Sequence, residues 1–189
     1  MNTKFLGKTL VASALVLTTL GTGLHSSYLG LDTNKVVKTA KAEENMTNGE
    51  LWKKVKDSLK DSNIISGNDG ESVKVTFLTK DGHSTHVEST ANHDTVTNTP
   101  SNFSKLTQID ITKENIPAND FNTRLDANEA WHNITKKLHE SGLVKNGEKV
   151  TIATKDPKDP QISGTVGSDM TDHKGYMLNK RDINKITIE

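Results

Sequence analysis

The chain has 189 residues, with 24 Lys and Arg balanced by 24 Asp and Glu, and it contains no cysteine. Disulfide staples and a thiol nucleophile are therefore excluded, and a chain without excess basic charge is a poor candidate for general phosphate-backbone binding, which needs clustered Lys and Arg. Its stability must come from a core of its own.

Lys4 and Lys8 precede an uncharged apolar run, Leu10 to Leu20. The run falls short of the roughly 20 apolar residues that span a bilayer as a helix, so it reads as an export signal. Ala40-Lys41-Ala42 is the small-x-small pattern at which a signal peptidase cuts, 22 residues beyond Leu20; Gly21 and Gly23 mark an alternative cut. An uncleaved anchor is the competing reading. Removal of residues 1–42 leaves 147 residues with 19 basic and 23 acidic side chains, a mildly acidic product expected to be secreted.

Beyond the leader the chain repeats itself. Thr47-Asn48-Gly49-Glu50-Leu51-Trp52 returns as Asp126-Ala127-Asn128-Glu129-Ala130-Trp131. Each has a capping residue, a glutamate three positions on, and a tryptophan two after that. In a capping box, the short side chain accepts a first-turn N–H while the glutamate reaches back to the cap's amide. Behind the boxes, Leu51, Val55 and Leu59, then Ala130, Ile134 and Leu138, fall at helical spacing. The helices are expected to end near Ser62-Asn63 and Ser141-Gly142.

The period then becomes alternating. Val75-Thr76-Phe77-Leu78-Thr79-Lys80-Asp81 matches Val150-Thr151-Ile152-Ala153-Thr154-Lys155-Asp156 at five of seven positions. Asp81-Gly82 turns into a polar strand, Thr85 to Thr90; Asp156-Pro157-Lys158-Asp159-Pro160 turns into another near Gln161 to Val166. Leu106 to Ile111 and Ile183 to Ile188 close the two copies. Fixed-order self-similarity of this kind predicts a duplicated helix-strand-strand-strand unit. The organisation expected is a signal peptide over 1–42, repeat units over 43–112 and 126–189, and a polar linker over 113–125 in which Pro117 forbids a continuous helix. The fold class is α+β, an antiparallel sheet with a helix on one face of each unit. Units of about 60 to 70 residues are marginal alone, so the copies are expected to pack together.

Histidine is the residue type that suggests chemistry. His83, His86 and His93, with Asp94, share a polar stretch in which His83-x-x-His86 has ligand-like spacing for zinc. A solvated hairpin and loop account for the same residues, and the second copy has no counterpart. His132 and His139 lie on similar faces of the second helix and read as solvent-exposed; His173 reads as a loop residue. The sequence has no G-x-S-x-G, no phosphate-binding glycine loop and no paired acidic site flanked by sugar-binding aromatics. No catalytic, cofactor-binding or metal residue is assigned, and no cofactor is expected. Trp52 and Trp131 could anchor a partner, but their repetition favours packing over the sheet.

A long leader ending in Ala-Lys-Ala before small Lys/Asn/Thr/Asp-rich domains resembles secreted staphylococcal virulence factors. The closing strand Asp182-Ile183-Asn184-Lys185-Ile186-Thr187-Ile188, after a helix, a strand and a turn, resembles the end of a MAP repeat. Such repeats form the extracellular adherence protein and its small homologues and are related to the β-grasp half of superantigens. The resemblance covers the last two-thirds of each copy and departs at the front, because MAP units begin with a strand hairpin and none precedes Glu50. A cystatin-like or β-lactamase-inhibitor-like tandem, in which a helix also precedes an antiparallel sheet, is the alternative. The MAP resemblance implies a non-enzymatic binder of host matrix or plasma proteins, or an inhibitor of neutrophil serine proteases. It carries over no binding residue, since the matched positions are strand-core residues. The expectation is thus a secreted, non-enzymatic module that binds a host extracellular protein, with neither nucleic acid nor membrane as partner. The alternatives are a metal-binding or histidine-dependent extracellular enzyme and an envelope-associated structural protein.

Overall fold

Thr47 opens the first helix with both halves of its box in place. The computed structural model describes residues 46–94 and 97–189; the expected export signal, residues 1–42, lies outside them. Helix α1 (Asn48–Asp61) begins where Thr47 Oγ1 accepts the Glu50 amide at 3.2 Å and Glu50 Oε2 accepts the Thr47 amide at 2.9 Å. It ends at Ser62, and Asn63 follows in the left-handed region at φ 60°, which a short polar side chain tolerates better than most. Leu51, Trp52, Val55 and Leu59 face inward and are fully buried.

Eight strands, a second long helix and two short helical segments follow. Strands β1 (Glu71–Thr79), β2 (Ser84–Thr90) and β3 (Phe103–Lys113) precede a short helix α2 (Ala118–Phe121) and strand β4 (Arg124–Asp126). Helix α3 (Ala127–Glu140) is followed by β5 (Lys149–Thr154), β6 (Ile162–Thr165), β7 (Met177–Asn179), a 3-10 turn (Lys180–Asp182) and β8 (Ile183–Ile188). Six strands make one sheet in the order β2-β1-β3-β8-β5-β6, and every pairing in it is antiparallel. The α+β class and the antiparallel sheet expected from the periodicities are therefore present.

Registers on the two sides of the sheet run in step. Val73 pairs with Ile111 and Val75 with Ile109; Val150 pairs with Ile188 and Ile152 with Ile186. A register shift falls between Thr76 and Phe77 in one ladder and between Ala153 and Thr154 in the other. The seam is three residue pairs of β3 and β8, with Ile109 opposite Ile186. Along these strands alternate residues (Val75, Ile109, Ile152, Ile186) are buried beneath the helices, while Thr76, Gln108, Thr151 and Thr187 lie half-buried on the opposite face.

Each long helix is pinned by its indole. Trp52 Nε1 donates to the Val73 carbonyl at 2.9 Å and Trp131 Nε1 to the Val150 carbonyl at 2.8 Å, both in fully buried surroundings. Beside Trp131 the sheet must be bare: a Cβ on Gly164 would lie 2.7 Å from both Trp131 Cζ2 and Met170 Cγ. Glycine is required there by close approach, because strand residues normally fill this space with a side chain.

Three expectations need correction. The stretch 113–125 is not a featureless polar linker: it includes the last residue of β3, all of α2 and two residues of β4. Pro117 stands at the N-cap of α2 with φ −60°, starting a helix where its fixed φ suits one. β4 pairs with β7 in a separate two-stranded ribbon; among the described residues the first helix-strand set shows a shorter counterpart, the single antiparallel bridge Thr47–Pro100 at the start of α1. The ribbon's apolar signal was a single pair, Leu125 opposite Leu178, with Leu178 fully buried. The second capping box is also only half formed. Asp126 accepts the Glu129 amide at 3.0 Å, but the Glu129 carboxylate does not return to the Asp126 amide, which belongs to β4; the second Asp126 oxygen accepts the Gly175 amide at 2.6 Å.

The matched indoles predict matched costs. Trp52→Phe and Trp131→Phe each remove a buried donor and some ring volume, and each should lower unfolding free energy by about 2 kcal/mol in urea titrations. Gly164→Ala should destabilise by about 1–3 kcal/mol through overpacking against Trp131; an unchanged urea midpoint would contradict the close approach.

Candidate functional site

Among the described residues, charged side chains gather in the interior where α1 ends. Glu71, at the start of β1, is buried, and its carboxylate accepts the amides of Ser66, Gly67 and Asn68 at 3.0, 2.6 and 3.1 Å. The chain after α1 thus wraps a carboxylate in backbone N–H groups, the arrangement that stabilises a buried negative charge. Opposite Glu71 in the ladder, Lys113 donates from Nζ to the carbonyls of Ile64 and Lys180, both at 2.6 Å. Lys180 is itself buried and donates to Ser66 Oγ at 2.5 Å, Asn63 Oδ1 at 3.1 Å and Asp120 Oδ1 at 3.4 Å. Ser66 Oγ in turn donates to Asp120 Oδ2 at 2.5 Å.

Burial pushes the Lys113 ammonium down to about 8, against the opposing pull of the Glu71 carboxylate. The Ser66 hydroxyl, and behind it the Lys180 charge, hold the Asp120 carboxyl below its usual range. A buried lysine of lowered pKa is the profile of an amine nucleophile. Here, however, two of its protons are committed to main-chain carbonyls, and the cavity beside it is about 10 Å³, the size of a single water. The cluster acts as a clasp, tying the end of α1 and the start of β1 to α2 and the 3-10 turn before β8.

The histidines are dispersed by the fold. His83 sits in the β1–β2 turn with Nδ1 2.9 Å from Asp81 Oδ2, both exposed. The Thr79 hydroxyl and then His83 hold the Asp81 carboxyl down to about 2. His86 lies in the middle of β2, exposed, and His93 Nδ1 is 3.0 Å from Thr90 Oγ1. Asp94 is taken by α1, with Lys56 Nζ at 2.5 Å and Lys53 Nζ at 3.3 Å. His173 occupies a loop position at φ 62°. Among the described residues no three His, Asp or Glu side chains converge on a point that could hold a metal.

His132 corrects its expected role as a solvent residue. It is half-buried, stands edge-on to Trp131 at 5.0 Å, and has Nε2 2.7 Å from the Met170 carbonyl, so Nε2 is the protonated donor. With the exposed His139 it lines an open groove of about 260 Å³ between α3 and the loops at Asn146 and Gly167.

The β4–β7 ribbon stands apart in composition. Among the described residues the exposed large hydrophobic side chains are Phe121 (49% exposed), Met177 (44%) and Tyr176 (37%), all on or beside it. Of the 24 basic residues other than histidine, only Arg124 and Arg181 are arginine, and both are here as well. Arg181 stacks over the Phe121 ring with its guanidinium carbon 4.2 Å from the centroid, and Nη1 donates to the Phe121 carbonyl at 2.5 Å. Arg124 is exposed opposite Asn179, next to the Met177–Asp126 pair. Tyr176 Oη donates to Asp159 Oδ1 at 2.9 Å, which raises the phenol's pKa. The sequence reading missed this surface because its signal is not periodic. The available clue was the use of arginine twice in a chain that otherwise uses lysine.

The chain belongs to the DUF4888 family, a domain of unknown function, whose match spans residues 47–188 from the first capping threonine to the end of β8. No curated protein matches the sequence.

The clasp yields a pH prediction. The unfolded chain holds the Lys113 proton up to about 10.5 and the folded chain only up to about 8. Between those values the unfolded state binds more protons, so the contribution of Lys113 to stability must rise with pH there and stay flat below 8. Measured against Lys113→Met by urea unfolding, the wild type should gain on the order of 2 kcal/mol between pH 7.5 and 10. A difference independent of pH would show that Lys113 is not desolvated.

Proposed function

We propose that this protein is a secreted, non-enzymatic binding module that blocks or captures a host extracellular protein, in the manner of a bacterial immune-evasion factor. The observation that carries the reading is the ribbon surface. Phe, Tyr, Met and Arg are the residue types enriched where proteins bind one another, and arginine and aromatics dominate binding energy. Arg124 offers a planar fork for a carboxylate, which lysine does not, and Arg181 holds Phe121 presented to solvent by stacking on it. The clasp behind the ribbon keeps the surface rigid, which lowers the entropic cost of association. Export, expected from residues 1–42, would bring the surface to an extracellular partner.

The domain itself reads as a tandem duplication of one helix-strand-strand-strand unit. Support comes from equivalent residues 77 positions apart in both ladders, as in Val73 and Val150 or Ile109 and Ile186. The repeated register shift and the repeated indole bonds add to it. Because the long helix precedes all three strands of each set, the arrangement favours the cystatin-like or β-lactamase-inhibitor-like comparison over a MAP unit. In such a duplicated scaffold the ribbon is the longer form of a joint that the first copy makes with the single Thr47–Pro100 bridge, free to specialise while the other elements conserve the core.

Affinity capture from serum and from neutrophil granule extract tests the reading. The wild type should retain a protein that mass spectrometry identifies, and the triple variant Phe121→Ser, Arg124→Glu, Met177→Ser should lose at least ten-fold in affinity for it while keeping its thermal midpoint. A partner held equally well by the folded triple variant would rule out the ribbon as the binding surface.

A further inference from the structure

Among the described residues strand β2 ends the sheet on one side, and no described strand lies beyond its seven residues (Ser84–Thr90). Its ladder to β1 can be phased from the bonds that bracket it. Ala91 N donates to the Glu71 carbonyl, and Thr79 N donates to the His83 carbonyl. In an antiparallel pair, hydrogen-bonded positions alternate with positions whose N–H and C=O point away. Thr85, Val87 and Ser89 therefore bond to β1, while Ser84, His86 and Glu88 direct their main-chain groups to the open edge. The strand contains no lysine and no proline, and its pairing with β1 runs without a register shift. Of the usual protections of a free edge, the described residues supply only the charge of Glu88.

We propose that β2 is the homodimer interface of this protein, pairing antiparallel with β2 of a second copy about a two-fold axis at Val87. The sequence Ser-Thr-His-Val-Glu-Ser-Thr is complementary to itself about its midpoint. With the axis at Val87, all seven residues find partners, and the outward-directed groups of one copy meet those of the other. His86 falls opposite Glu88 of the second copy, twice over, placing an imidazole donor against a carboxylate. Thr85 falls opposite Ser89, a hydroxyl pair of the kind that favours cross-strand contact. An axis at Glu88 would instead set two carboxylates face to face. The molecule already contains a joint of this design: at the β3–β8 seam, Ile109 faces Ile186 and the flanking Asp110 faces Lys185. Seven residue pairs without a large apolar area make a weak dimer, one that forms at high micromolar concentration and dissociates on dilution.

Because the chain has no cysteine, cross-linking reads the register directly. Residues opposite themselves at a two-fold axis in a non-hydrogen-bonded pair have Cβ atoms about 4.5–5.5 Å apart, within reach of a disulfide after small adjustment. In the purified full-length chain, Val87→Cys should oxidise to a covalent dimer at least ten-fold faster than Thr85→Cys or Ser89→Cys alone. An equimolar mixture of those last two should give the mixed dimer. His86→Pro removes an outward N–H without touching the β1 ladder; it should abolish concentration-dependent dimerisation in sedimentation equilibrium while leaving the circular dichroism spectrum unchanged. His86→Glu should abolish it as well, and His86→Glu with Glu88→Lys should restore it. Cross-linking of Val87→Cys no faster than Thr85→Cys, or a wild type that stays monomeric to about 500 µM, where an edge joint of this size should assemble, would overturn the proposal.

Discussion

The seam between β3 and β8 is the constraint on which the rest of the structure depends. Only three residue pairs cross it, centred on Ile109 and Ile186, yet it is the one place where the two three-stranded sets share a ladder. Neither set has the apolar surface to stand alone comfortably, since the fraction of surface buried falls steeply for small units. Joining them lets Ile109, Ile186 and the flanking Ile111 and Ile188 share one interior, and it brings α1 and α3 close enough for Lys54 to reach the Ser141 carbonyl at 3.4 Å. Two small cores become one without any disulfide.

A seam of that length would splay if nothing held its ends. The clasp does this at one end, through a lysine from the last residue of β3 and another from the turn before β8. The buried Lys180 ammonium and the half-buried Lys113 ammonium lie there beside the carboxylates of Glu71 and Asp120. Charges removed from water are tolerated only when each finds a partner or a carbonyl. The lowered pKa of Lys113 records the remaining cost, and the bonds to Ile64 and Lys180 explain why the group stays. What resembles a reactive amine by its titration is, by its contacts, a fastening.

Rigidity of the fastening bears on the surface beyond it. The proposed binding ribbon springs from the same residues: α2 supplies Asp120 to the clasp and Phe121 to solvent, and the 3-10 turn supplies Lys180 inward and Arg181 outward. Adjacent residues therefore serve opposite sides, one locking the backbone and the next presenting a side chain. The free edge at β2 is remote in sequence from that ribbon and differs in chemistry, being hydroxyl-rich where the ribbon is aromatic and basic. A weak self-association through β2 would double the number of ribbons on one particle and raise avidity for a multivalent target.

Local physics alone determined a good part of this protein. The Thr47 and Asp126 caps, the helical stripes behind them and the alternating strands were legible because each is a short-range pattern with a fixed period or spacing. The burial of both tryptophans followed from their repetition. Other features had no such trace. The connector over 113–125 looked polar because β4 needs only Leu125 on its inner side, and a three-residue strand is too short to show a period. Asp126 looked like the start of a full capping box, but its amide belongs to β4 and the Glu129 carboxylate does not return to it. His83, His86 and His93 are near in sequence, but a turn, a strand and a loop carry them apart. The clasp was invisible, since Glu71, Lys113, Asp120 and Lys180 meet only when four separate segments converge. Sequence by itself thus settled the two long helices and the six strands of the sheet, because those choices are made within a few residues. Which strands join across the seam, which charges are buried together and which apolar side chains are left in solvent were decided by the tertiary fold, because desolvation and pairing depend on neighbours that the chain order keeps far apart.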